Sequence, residues 1–180
     1  MSWRVIAELA GFQTVWLACA LGAAGGSNVA GLSAASAFIG LQLARQCSRP
    51  FVLAMLASGL LGLVFETLFA SAGILRYAAT WPSAQLAPAW IVALWLAFGT
   101  TLATTARLLR QRALPKAAVF GAIFGPLSYA AGARLGALDI TAPGWIAFGA
   151  IAGAWALSFP SLMALQQWLG PDARCEFGSS

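Results

Sequence analysis

The sequence predicts an all-α polytopic membrane protein, a bundle of six transmembrane helices with both ends on the cytoplasmic side. Three observations carry that expectation. Hydrophobic residues make up 61% of the 180 and charged residues only 8%, against about 45–50% and about 25% in soluble domains, and the mean hydropathy is +0.82. The apolar residues fall into six runs, each near the ~20 residues needed to cross a hydrocarbon core. The basic residues collect in alternate connections: Arg4, Arg45, Arg49, Arg107, Arg110, Arg112, Lys116 and Arg174 fall on one side, against Arg76, with Arg134 if it reaches out, on the other. That asymmetry is the positive-inside pattern. It also accounts for the net charge of +5 through anionic lipid headgroups, with no nucleic-acid partner implied.

Span 1 covers about residues 5–25 and contains Glu8, Gln13 and Trp16. It lacks a small-x-small cleavage site after a short apolar core, so a retained first span is expected in preference to a cleaved signal peptide. Gly25-Gly26-Ser27-Asn28 makes a tight turn. Span 2, about 29–44, is rich in Ala, Gly and Ser, as expected of a helix packed within the bundle. After the basic loop Arg45–Pro50, span 3 runs over about 51–75 and contains Glu66. The connection over 76–87 holds Tyr77, Trp81 and Pro82, which suits an irregular or re-entrant interfacial segment. Span 4, about 89–109, opens with Trp90 and Trp95 and carries Thr100, Thr101, Thr104 and Thr105. Such threonines more often bond back to their own helix than to a substrate. Span 5 covers about 117–138 and span 6 about 144–169, with Trp155 and Pro160 inside it. These spans form one domain over 1–175, and Glu176–Ser180 reads as a cloning remnant. No repeat relates the first three spans to the last three.

The absence of histidine excludes bis-histidine haem, a histidine base and histidine metal ligands together. Three cysteines without paired spacing imply neither a disulfide framework nor a metal site. No Walker loop, dinucleotide fingerprint or Ser/His/Asp set is present. No cofactor and no metal are therefore expected.

Polar groups inside apolar spans are the remaining candidates. Glu66 and Arg134 lie at similar depth, roughly 22–26 Å above the inner boundary at ~1.5 Å per residue, which suggests an ion pair between spans 3 and 5. The other reading for Arg134 is that it snorkels to the nearby headgroups. In span 5, Gly121, Gly125, Ser128, Gly132 and Gly136 form a small-residue face suited to close helix packing or to oligomer contacts. Pro126 frees the carbonyl of Ala122 beside Ser128 and Tyr129, where a kink either opens a pocket or only bends the helix. Trp81, Trp90, Trp145 and Trp168 suit interface belts, while Trp95 and Trp155 lie deeper and could line a cavity.

The segments Phe12-Gln13 with Trp16, Trp95-Leu96-Ala97-Phe98, and above all Gly125-Pro126-Leu127-Ser128-Tyr129-x-Ala131-Gly132-Ala133-Arg134-Leu135-Gly136-Ala137 resemble a bacterial inner-membrane family defined only as a domain of unknown function. The resemblance implies a six-helix fold, an acid (more often aspartate) at the position of Glu66, and genes neighbouring those of lipid modification. It implies no reaction.

Together these readings lead to the expectation of a binding or transport protein for a small amphipathic or lipid-like ligand. Its pocket would open to the outer side between spans 3, 4, 5 and 6. Glu66, Arg134 and Tyr129 would be the polar anchors, with Ser128, Trp95 and Trp155 beside them. Membrane lipids are the expected partners. A lipid-modifying enzyme using Glu66 as acid or base, or a structural subunit packing through its glycine faces, are the alternatives.

Overall fold

The computed structural model describes residues 3–109 and 113–169, the side chains of Arg107 and Ala113 apart. Arg110, Arg112, Arg174, Cys175 and residues 176–180, expected to be a cloning remnant, lie outside the described residues. Six helices and two short strands follow in order: α1 (Trp3–Ala24), α2 (Val29–Gln46), α3 (Arg49–Ser71), β1 (Leu75–Tyr77), α4 (Ala89–Leu109), α5 (Ala113–Arg134), β2 (Leu138–Ile140) and α6 (Gly144–Trp168). Four of the helices, α1, α3, α4 and α6, are long and apolar enough to cross a membrane. The chain is all-helical apart from its one small ribbon, and its composition and helices are those of a membrane protein. Helix α4 touches all five other helices and is the hub of the bundle.

Spans 3 and 5 were expected to run on to 75 and 138, but α3 and α5 end at Ser71 and Arg134. The cause is the same in both. Gly73 (φ 64°) and Gly136 (φ 83°) adopt the left-handed conformation that favours glycine. At the first, the Gly73 N–H donates to Ala70 (3.1 Å) and the Ile74 N–H to Phe69 (2.9 Å); at the second, Gly136 donates to Ala133 (3.0 Å) and Ala137 to Gly132 (3.0 Å). This is the Schellman pattern, which closes a helix by satisfying its last carbonyls. Each glycine turns the chain into a strand, and β1 and β2 pair antiparallel with Arg76 opposite Asp139.

The two units match at a separation of 63 residues. Gly62 corresponds to Gly125, Glu66 to Tyr129, Gly73 to Gly136, Leu75 to Leu138 and Arg76 to Asp139. A ribbon whose central pair consists of matching residues is the register that a twofold axis through it would produce. The doubling continues beyond the ribbon. Ala87-Pro88-Ala89-Trp90-Ile91 opens α4, and Ala142-Pro143-Gly144-Trp145-Ile146 opens α6. In each the proline carbonyl accepts the first helical bond, from Val92 (3.2 Å) or Ala147 (3.0 Å). The repeat is thus helix–strand–helix, made twice, with the α1–α2 hairpin added against α4. A comparison of three spans with three does not expose it.

Within each unit a matching glycine seats a tryptophan of the following helix. A Cβ at Gly62 would fall within the Trp95 ring, and one at Gly125 would lie 2.6 Å from the Trp155 ring. The two indoles then stack on each other across the units, with centroids 4.5 Å apart. That stack and the ribbon join the two halves and fix the surroundings of Glu66.

Candidate functional site

Glu66 sits on α3, a turn and a half before the helix ends. Its side chain is fully buried, at 0% exposure. Tyr77 Oη on β1 donates to Oε2 at 2.5 Å, and Trp95 Nε1 on α4 donates to Oε1 at 2.7 Å. The Tyr129 phenol on α5 also donates to Oε1. Three donors and two phenol-bearing elements therefore converge on one carboxyl group, which ionised is an acceptor only. Hydrogen bonds to a charged group are about twice as strong as neutral ones. They supply what a buried acid otherwise lacks once removed from water. Burial, reinforced by the neighbouring carboxyl, pushes the Tyr77 phenol far above its ordinary range, so it remains a donor.

A second layer of rings holds the donors in place. Phe69 meets Tyr129 edge-on at 6.5 Å, and Trp90 meets Tyr77 edge-on at 6.2 Å. Trp90 was expected at an interface belt. It is buried instead, and its indole N–H donates to the carbonyl of Ala78 at 3.1 Å. Ser58 Oγ donates to the carbonyl of Trp95 at 2.6 Å and pins the α4 backbone to α3.

Beside this cluster lies a cavity of about 440 Å³. It is a groove between α1 and α5, floored by α4 and closed at one side by Trp155 of α6. Phe12, Gln13 and Trp16 line the α1 wall, with Phe124, Ser128 and Tyr129 on the α5 wall. Trp95 and Tyr129 belong both to the groove wall and to the Glu66 cluster, so the carboxyl group stands one side chain behind the surface. Among the described residues, no lysine, arginine, aspartate or glutamate lines the groove.

Measured against the sequence reading, Glu66, Tyr129 and Trp95 come together by hydrogen bonds, and Trp95, Tyr129, Ser128 and Trp155 share the groove. Ser128 donates to Gly125 of its own helix at 2.8 Å. The expected Glu66–Arg134 ion pair does not form. Arg134 is exposed in the last turn of α5, outside the groove, where a cation complements the helix dipole. Because α5 closes at Gly136, that last turn is already at the surface. The ion pair that does form is Arg76 with Asp139, at 2.9 Å on the exposed ribbon. The cavity shares α4, α5 and Trp155 of α6 with the expected place, but its remaining wall is α1 and not α3. Thr100, Thr101 and Thr105 bond back to their own helix, while Thr104 donates to Glu8 Oε2 at 2.9 Å.

Sequence reasoning missed Tyr77. Its signal was Gly73 followed by the alternation Leu75-Arg76-Tyr77, buried, exposed, buried, which is the period of a half-buried strand. Among the described residues no group of His, Cys, Asp and Glu could hold a metal ion. No curated protein and no solved structure matches the chain. A family profile does, over residues 5–161, and the chain belongs to that family, described as "Protein of unknown function (DUF2878)".

Proposed function

We propose that this is a six-span protein of the bacterial inner membrane, with both ends cytoplasmic, that binds a small amphipathic or lipid-like ligand in the groove between α1 and α5 and carries or presents it. The observation that supports this most is the groove itself. It has the volume and the largely apolar lining with few polar groups that small-molecule sites share. Its rims carry outward-facing apolar side chains, Leu17 and Leu21 on α1 and Phe124 and Leu127 on α5. In a bilayer such a cleft opens sideways to the acyl chains, so a ligand could enter without crossing water. The excess of arginine and lysine at one end of the helices supports the orientation.

Glu66 favours binding over the enzymatic alternative. Both of its oxygens are occupied, and Trp95 and Tyr129 stand between it and the groove. A carboxyl group held in this way can set the field of a site, but it is poorly placed to exchange a proton with a ligand.

Gly132 provides the test. It lines the groove, and a Cβ there would meet only Leu138 Cδ2 at an ordinary 3.6 Å, so a side chain has room to start there and Gly132→Leu takes up groove volume. Native mass spectrometry of the protein released from membranes should find a co-purifying amphiphile on the wild type and none on Gly132→Leu, with helix content unchanged. The same adduct on both proteins would refute the groove as its site.

A further inference from the structure

The charge of the ligand can be read from what surrounds the groove. Aromatic side chains line it, among them Phe12, Trp16, Trp95, Phe124, Tyr129 and Trp155. Ring faces carry the negative end of the quadrupole and attract cations, most strongly when water is excluded. Directly behind Trp95 and Tyr129 is Glu66, whose two oxygens receive three donors and no cation. An ionised carboxylate, which only accepts, is satisfied by such a set. Among the described residues, no basic side chain lines the groove to reverse the sign, and the nearby arginine on α5, Arg134, is exposed and outside it. At low effective dielectric, one unit charge a single side chain away acts strongly on whatever occupies the groove.

We propose, building on the groove as a ligand site, that its occupant is an amphipathic cation: one ammonium group carried on an apolar body. The ammonium rests among the indole and phenol faces, and the Glu66 carboxylate is its counter-charge through the wall. An anionic headgroup is repelled there. The same chemistry is offered by a free single-chain amine and by the ethanolamine end of a phospholipid.

Four probes sharing one brominated acyl chain separate these readings in nanodiscs, by quenching of the groove tryptophans at matched mole fraction in the bilayer. The heads are trimethylammonium, its uncharged 3,3-dimethylbutyl isostere, carboxylate and phosphatidylethanolamine. The trimethylammonium probe should saturate at roughly tenfold lower mole fraction than the isostere, with the carboxylate weakest. Glu66→Gln should reduce the preference for the cation to below about threefold, and Gly132→Leu should abolish the saturable part of the quenching by all four, leaving only the linear quenching of the lipid-facing tryptophans. Tight phosphatidylethanolamine binding identifies a lipid headgroup as the source, and its absence beside tight trimethylammonium binding identifies a free amphiphile. Equal binding of cation and isostere by the wild type, or preference for the carboxylate, overturns the charge assignment but leaves the groove intact. That comparison needs no variant to fold. Saturable quenching that survives Gly132→Leu overturns the groove reading itself.

Discussion

Tyr129 donates a hydrogen bond to Glu66 across the bundle, and the two residues hold the same position in the two helix–strand units, 63 residues apart. The near-twofold relation brings equivalent positions face to face, and at this one an acid meets a phenol. The pair closes the seam between α3 and α5, with Trp95 and Tyr77 completing the acceptor's shell. An acid there is accommodated because every neighbour is a donor, which is also why it tolerates little change.

Glu66→Gln keeps the shape but replaces one acceptor oxygen with an NH₂ group that faces donors. A buried donor left unpaired costs about 1–3 kcal/mol. Unfolding in mixed micelles should show a loss of that order. A Gln variant as stable as wild type would mean that the carboxyl is not ionised in its cage.

Tyr77→Phe and Tyr129→Phe each remove one donor from the same carboxyl. Each should cost about 1.5–3 kcal/mol, the range for hydrogen bonds to charged groups. Groups in one network do not add, with coupling of about 0.5–3 kcal/mol. The double variant should therefore depart from the sum of the singles by more than about 0.5 kcal/mol. Additive losses would show that the two phenols act on separate structures. Tyr77→Phe should also speed amide exchange along Leu75–Tyr77, because that phenol anchors the strand.

Much of this site was legible in the sequence, and the reasons differ by residue. Glu66, Tyr129 and Trp95 stood out because polar atoms in apolar runs need partners. Their partners were harder to foresee. Depth along a helix is given by rise per residue, but which faces meet is set by packing, so Glu66 was paired with a cation on the right helix at the wrong turn. The helix ends decided that error. Gly136 reads equally well as a member of a small-residue face and Gly73 as one more residue of span 3, and only their positive φ reveals them as stops. The strands they launch are three residues long and find partners 63 residues away, a distance over which local pattern says nothing. The doubled Ala-Pro-x-Trp-Ile was the one clear sign of the repeat, and it lies outside any frame of three spans against three.

Arg76 and Asp139 form the exposed centre of the ribbon, with side chains 74% and 63% exposed. Solvent-exposed pairs contribute about 0–1 kcal/mol. Alanine at either position should therefore change stability by less than about 1 kcal/mol, and the exchanged pair Arg76→Asp with Asp139→Arg should recover whatever is lost. A larger loss would assign the ribbon a role beyond pairing the two units.

Gly62 and Gly132 both lie on small-residue faces, yet the structure separates them. A methyl at Gly62 would overlap the Trp95 ring, which is stacked on Trp155 and donates to Glu66. One at Gly132 meets only Leu138 Cδ2, at 3.6 Å. Gly62→Ala should therefore cost about 1–3 kcal/mol, the usual penalty for overpacking, and shift the tryptophan emission as Trp95 is driven from its seat. Gly132→Ala should leave stability unchanged to within about 0.5 kcal/mol, as ordinary substitutions away from tight packing do. If both alanines were neutral, α3 and α4 would have to separate freely, and the Trp95 to Glu66 hydrogen bond could not hold the acid in register with α5.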